Sequence, residues 1–131
     1  DTNVISESEK PFPDANVMAW LRQLGPEPAY TAAPVVSELL YGALKHPVPA
    51  RSAQFIESLE RVLSGLLVGR VLPFDDKAAR VHARLNLATR GRNRPTFDLL
   101  IASITLATHM TLVTRNTSDF ADLGVPLFNP W

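Results

Sequence analysis

From Phe97 to about His109 the chain is apolar nearly all round, and Asp98 is its only acidic or basic residue before His109. A helix of that kind has no solvent face and must be covered on every side. Ala102, Ser103 and Ala107 are small enough to let it lie close on a sheet. Thr96 is placed to cap it. The rest of the 131 residues must supply the cover. A chain of this length reads as a single domain, 1–131, that buries roughly two-thirds of its unfolded surface without staples.

The cover comes in short units, because eleven prolines punctuate the chain. Asp14 caps a helix from Ala15 to Leu24, with Gly25 as its stop. Ala29–Ala32 is strand-like. Pro34 suits the first turn of a helix running to about Lys45. After Pro49, Phe55, Ile56, Leu59, Val62 and Leu63 recur at helical spacing. Arg70–Phe74 reads as a strand, and Asp75 caps a helix through Ala88. A basic loop follows, Arg90-Gly91-Arg92-Asn93-Arg94. Thr111–Thr114 is a strand, a helical turn lies around Asp119–Leu123, and Pro126–Phe128 is the last strand. Strands alternating with helices predict parallel pairing and an α/β sandwich. Ligands of such folds sit beyond the carboxyl ends of the strands.

Composition narrows the chemistry. Thirteen basic and thirteen acidic side chains balance, which argues against a generic polyanion binder but leaves room for a local basic patch. Cysteine is absent, so disulfides and thiolate metal sites are excluded, and the reducing cytoplasm is a compatible location. No apolar run approaches the ~20 residues that span a bilayer, and no signal peptide is visible. No glycine-rich phosphate loop follows a strand. His46, His82 and His109 match no zinc spacing, and no serine has a nucleophile-elbow context. Trp20 and Trp131 read as packing residues. Glu7, Asp14, Asp75 and Asp122 read as caps or surface charges.

Four acids remain. Asp98 stands in the first turn of the buried helix, where the dipole favours an anion. Asp119 follows a strand, Glu38 lies between aliphatic neighbours, and Asp1 precedes a polar turn. Strand ends and helix starts share one rim of a parallel sheet, so Asp98 and Asp119 are potential neighbours. Carboxylates held together raise one another's pKa, a conflict that a divalent cation removes. All-oxygen ligands favour Mg²⁺ or Mn²⁺. Such ions serve phosphodiester hydrolysis. Singly, each acid has a plainer reading: Asp98 as a cap, Glu38 as a surface position, Asp119 as a helix start, Asp1 as a frayed end. Spacing alone leaves both readings open. Arg115 stands beside the strand end as a phosphate contact.

Taken in order, Asp1-Thr2-Asn3-Val4-Ile5-Ser6, Val36-Ser37-Glu38-Leu39-Leu40-Tyr41-Gly42, Leu72-Pro73-Phe74-Asp75, Asp98-Leu99-Leu100-Ile101-Ala102, Thr114-Arg115-Asn116-Thr117-Ser118-Asp119-Phe120 and Phe128-Asn129-Pro130-Trp131 resemble the PIN-domain family. Within it the chain resembles the toxin ribonucleases of the VapC/FitB branch, over essentially its whole length. The resemblance implies a three-layer α/β/α sandwich with a central parallel sheet. It implies an endoribonuclease dependent on Mg²⁺ or Mn²⁺, with transfer RNA or other structured RNA as the substrate class. The family's acids fall on Asp1, Glu38, Asp98 and Asp119. Its polar signature position falls on Asn116, which in some relatives is itself the acid, so Asn116 and Asp119 share or exchange that role. Thr2 and Thr114 match positions that line the site.

The family carries apolar residues ahead of its first acid. The resemblance therefore implies a strand before Asp1 that these residues lack, without which Asp1 would be unanchored. It also implies a small antitoxin partner with a DNA-binding domain, and homodimers. Two alternatives remain in view. One is a PIN-like binding module that controls transcription with that partner and cuts little RNA. The other is a flap-type DNA nuclease, disfavoured because such enzymes carry more acids and a longer insertion.

Overall fold

The computed structural model describes residues 1–24, 28–92 and 95–131. Its elements run α1 (Thr2–Ser8), α2 (Ala15–Gln23), β1 (Thr31–Ala32), α3 (Ala33–Leu44), α4 (Pro49–Ser64), β2 (Val71–Leu72), α5 (Asp76–Ala88), α6 (Thr96–Ala107), β3 (Leu112–Val113), α7 (Thr117–Phe120) and β4 (Leu127–Phe128).

The apolar run forms α6, and Leu99, Ile101, Ala102, Ser103, Ile104 and Thr105 are all buried on it. The two hydroxyls tolerate burial because each donates one turn back along the helix. Ser103 Oγ bonds the Leu99 carbonyl at 2.5 Å and Thr105 Oγ1 the Ile101 carbonyl at 2.8 Å. The predicted Thr96 cap is corrected: Thr96 is the first helical residue, and among the described residues no side chain caps α6. Pro95 precedes it at φ −58°, ψ 134°, an extended conformation that proline adopts without strain, so the entry needs no hydroxyl to shape it. At the far end His109 takes φ +55°. Its N–H donates to the Leu106 carbonyl at 3.2 Å, and the Met110 N–H to the Thr105 carbonyl at 3.1 Å. That pair of bonds is a Schellman closure with histidine where glycine is usual.

Around α6 the other units take their expected places. α5 lies along it, and α3 packs on α6, α4 and α1. Val35, Leu39, Leu59, Ala78, Ile101, Ile104 and Phe120 belong to one core cluster. Asp14 and Asp75 cap α2 and α5 as predicted, Asp14 accepting from the N–H groups of Asn16 and Val17 and Asp75 from that of Ala78. The predicted stop at Gly25 lies outside the described residues.

Among the described residues all strand pairing is parallel: β1 with β2, in register Thr31 to Val71, and β3 with β4, in register Leu112 to Leu127. The sheet is therefore present as two short parallel pairs with helices packed around them, an α/β architecture. Among the described residues no helix is long and apolar enough to cross a membrane.

The amino-terminal stretch differs from the expected polar turn. Thr2–Ser8 is helical, with Asp1 as its N-cap and Val4 buried. Glu7, read as a surface charge, is also buried, at 4 % exposure. Its carboxylate accepts from the Lys10 ammonium at 2.6 Å and from the Asp14 N–H at 3.0 Å. Those bonds satisfy the buried charge and tie α1 to the start of α2.

Candidate active site

β3 delivers Thr114 to the place where α1 begins. The Thr114 N–H donates to the Phe128 carbonyl at 3.0 Å, so pairing with β4 fixes the residue beyond the strand. Its side chain is fully buried, and its Oγ1 donates to Asp1 Oδ2 at 2.6 Å. Asn3 closes a triangle, its Nδ2 donating to Asp1 Oδ2 at 2.8 Å and to Thr114 Oγ1 at 3.0 Å. The Asp1 Oδ1 atom accepts from the Thr2 N–H at 2.6 Å. The Asp1 amino nitrogen donates to the Val113 carbonyl at 3.2 Å. Asp1 is thus held by the side chains of Thr114 and Asn3 and by the backbone of β3. Such a set of donors holds a carboxylate in one orientation.

Glu38 joins from the second turn of α3. Thr2 Oγ1 donates to Glu38 Oε2, so the hydroxyl spans from α1 to α3. The proximity is also electrostatic. The Glu38 carboxylate lies close enough to the Asp1 backbone nitrogen to act on it through space. Val35 and Leu39, on either side of Glu38 in sequence, are buried in the core and set the face that Glu38 occupies.

Asp98 lies half-buried in the first turn of α6, as the sequence suggested. Asp119 is exposed in the first turn of α7, with its N–H donating to the Asn116 carbonyl at 3.1 Å. Neither is without a partner. The helices bearing the acids pack in series, α1 on α3, α3 on α6 and α6 on α7. Asn116 is tied in through its backbone, its N–H donating to Thr114 Oγ1 at 3.0 Å. Arg115 is exposed, and its N–H donates to Asn3 Oδ1 at 3.4 Å. Of the basic loop, Arg92 is ion-paired with Asp122, while Asn93 and Arg94 lie outside the described residues.

The structure thus brings Asp1, Thr2, Asn3, Glu38, Thr114 and Asn116 into one hydrogen-bonded group. Among the described residues no three His, Asp or Glu side chains stand close enough together to hold a metal ion. The donor chemistry nonetheless fits a hard cation. The acceptors offered are carboxylate, hydroxyl and amide oxygens, without sulfur or imidazole. Asn3 was missed by sequence reasoning. An asparagine two positions after an aspartate is too common to single out, and its role appears only once Thr114 is placed beside Asp1.

A model of the PIN domain family matches residues 1–126. The chain is 39% identical over 133 residues to the VapC ribonuclease Y4jK of Sinorhizobium fredii, covering all of this chain and 95% of that protein. It is 36% identical to the toxin FitB of Neisseria gonorrhoeae, again over all of this chain and 96% of the relative. It is similar to the solved structure of VapBC2 from Rickettsia felis bound to a DNA fragment from their promoter. That likeness has a TM-score of 0.84 and 28% identity, and covers 99% of this chain and 95% of the other.

Proposed function

The chain belongs to the PIN domain family, and from that premise we propose that it is a metal-dependent endoribonuclease, the toxin of a toxin–antitoxin pair. One observation carries the reading. The Asp1 carboxylate is fixed by Thr114 and Asn3 at the carboxyl end of a parallel strand, with Glu38 linked to it across Thr2. A site of oxygen donors at that rim is where an α/β fold does its chemistry. The relatives named a ribonuclease and a toxin support the assignment.

Asp1, Glu38, Asp98 and Asp119 would hold Mg²⁺ or Mn²⁺. When bound, such an ion supplies charge neutralisation at the phosphoryl group and an activated water for in-line hydrolysis. The chain's own residues prepare the place for it. Thr114 and Asn3 hold the Asp1 carboxylate still, Thr2 does the same for Glu38, and the dipole of α6 favours the ionised form of Asp98. Asn116 and Arg115 lie beside them on the segment after β3, where an RNA phosphate would arrive. The substrate class is structured RNA such as transfer RNA.

The test is Mg²⁺-dependent cleavage of RNA by purified protein, with sequencing of RNA ends after brief expression to locate the cuts. Asp98→Asn and Asp1→Asn should keep a cooperative melt and lose cleavage. Unchanged cleavage in either variant would sink the assignment.

A second reading has its own support. The Rickettsia felis relative is bound to promoter DNA as VapBC2, which fits assembly of this chain with a DNA-binding antitoxin for transcriptional control. Phe12, Tyr41 and Leu44 are 94 %, 63 % and 71 % exposed, and offer apolar surface to a protein partner or a second copy of the chain. If the chain lacks nuclease activity yet a co-expressed antitoxin retains it on promoter DNA, the binding role stands alone.

A further inference from the structure

Trp131 sits where the register of β3 and β4 delivers it. Val113 pairs with Phe128, and Phe128 is held by Trp20, ring centroids 5.8 Å apart. From there the chain passes through buried Pro130 to Trp131. The Arg115 guanidinium lies over its indole, 5.3 Å from the ring centroid. The backbone beneath the ring is tied down. The Trp131 N–H donates to Asn129 Oδ1 at 3.0 Å. The indole N–H is buried and faces the Glu7 carboxylate without completing a well-formed hydrogen bond.

Arg115 is fixed at its other end by the bond from its N–H to Asn3 Oδ1, the same Asn3 whose amide holds Asp1. Among the described residues Arg115 has no carboxylate within ion-pair distance. A guanidinium held over a ring by cation–π attraction keeps N–H donors for another partner, and their fork matches the oxygens of a phosphate. A group of carboxylates repels an anionic strand, so a cation held at its rim is what the strand needs to approach.

We propose that Trp131 is a positioning residue: its ring holds the Arg115 guanidinium beside the Asp1–Thr114 pair, ready for one phosphate of an RNA strand. This rests on the RNA-cleavage reading and extends it to a residue outside the hydrogen-bonded group. Trp131 acts only through Arg115, which makes the two side chains energetically coupled.

The experiment is a double-mutant cycle on a fluorescein-labelled stem-loop RNA of the transfer-RNA type. Binding is followed by anisotropy in EDTA, and cleavage of the same RNA is timed with Mg²⁺. Arg115→Ala should weaken binding about tenfold and lower the salt slope by about one. Trp131→Leu should weaken binding about two- to fivefold, the scale of an exposed cation–π contact. Trp131→Phe should lie between Trp131→Leu and the unsubstituted protein. In the Arg115→Ala background, Trp131→Leu should add nothing. In cleavage, the Trp131 variants should raise KM and leave kcat unchanged.

Full additivity in the cycle overturns the proposal, as does Trp131→Leu binding like the unsubstituted protein. If Trp131→Leu lacks a cooperative melt, the cycle is run with Trp131→Phe and judged by the same coupling. RNA that is neither bound nor cut by the unsubstituted protein overturns the ribonuclease reading and this inference with it. Normal cleavage with no Trp131–Arg115 coupling overturns this inference alone.

Discussion

Thr114→Val isolates what the buried hydroxyl does. The change keeps the side chain's shape and removes one oxygen. That oxygen donates to Asp1 Oδ2 and accepts from Asn3 Nδ2 and the Asn116 N–H. The bond to the ionised carboxylate is worth about 1.5–3 kcal/mol and a neutral one about 1 kcal/mol. Asn3 keeps its bond to Asp1, so the loss falls on Asp1 and on the Asn116 N–H. Thr114 is 0 % exposed, which leaves no room for water to repair it. The expected destabilisation is about 3 kcal/mol. Unfolding entropy for a chain of this length is about 0.28 kcal/mol/K, which translates the loss into a Tm lower by about 11 °C. Urea unfolding followed by circular dichroism, in EDTA, measures it directly. Thr114→Ser, which keeps the hydroxyl and deletes a methyl, should lose only about 1 kcal/mol. The reasoning is refuted if Thr114→Val stays within about 0.5 kcal/mol of the parent, or if Thr114→Ser falls as far as Thr114→Val.

Other expectations follow from the same geometry. The Lys10 hydrogen bond, then that of the Asp14 N–H, hold the Glu7 carboxyl below its ordinary 4.5. Its contribution to stability is therefore complete above pH 4.5 and disappears as pH falls through the folded value. Tm measured from pH 6 to 3 should drop steeply below 4.5, and Glu7→Gln should flatten that limb. His109→Gly relieves a left-handed histidine at the end of α6 and should stabilise by about 0.5–1 kcal/mol, read as a higher urea midpoint. Mn²⁺ at about a hundredfold excess over its Kd should stabilise the protein by about 2.7 kcal/mol. That gain should vanish in Glu38→Gln, and melts that ignore Mn²⁺ would argue against the metal assignment.

Much of the fold was legible because periodicity and capping are local. The apolar run of α6, the aspartate caps of α2 and α5, and the prolines opening α3 and α4 all act within a few residues. α1 was not legible, since seven residues with few apolar side chains carry too little pattern. Its N-cap, Asp1, is held by Thr114, a contact across 113 positions. The candidate site divides in the same way. Asp98 was placed by the dipole of its own helix. Asn3 was invisible, because its function depends on two partners that meet only in space. Buried Glu7 was read as a surface charge because the ammonium and the N–H that compensate it lie three and seven residues away.

The distance between Asp1 and Thr114 along the chain carries a consequence for synthesis. The two halves of the pocket lie 113 positions apart in the chain, so a nascent polypeptide lacks it until Thr114 has emerged and folded back. Every truncated product ending before β3 has acids but no Thr114 to hold Asp1.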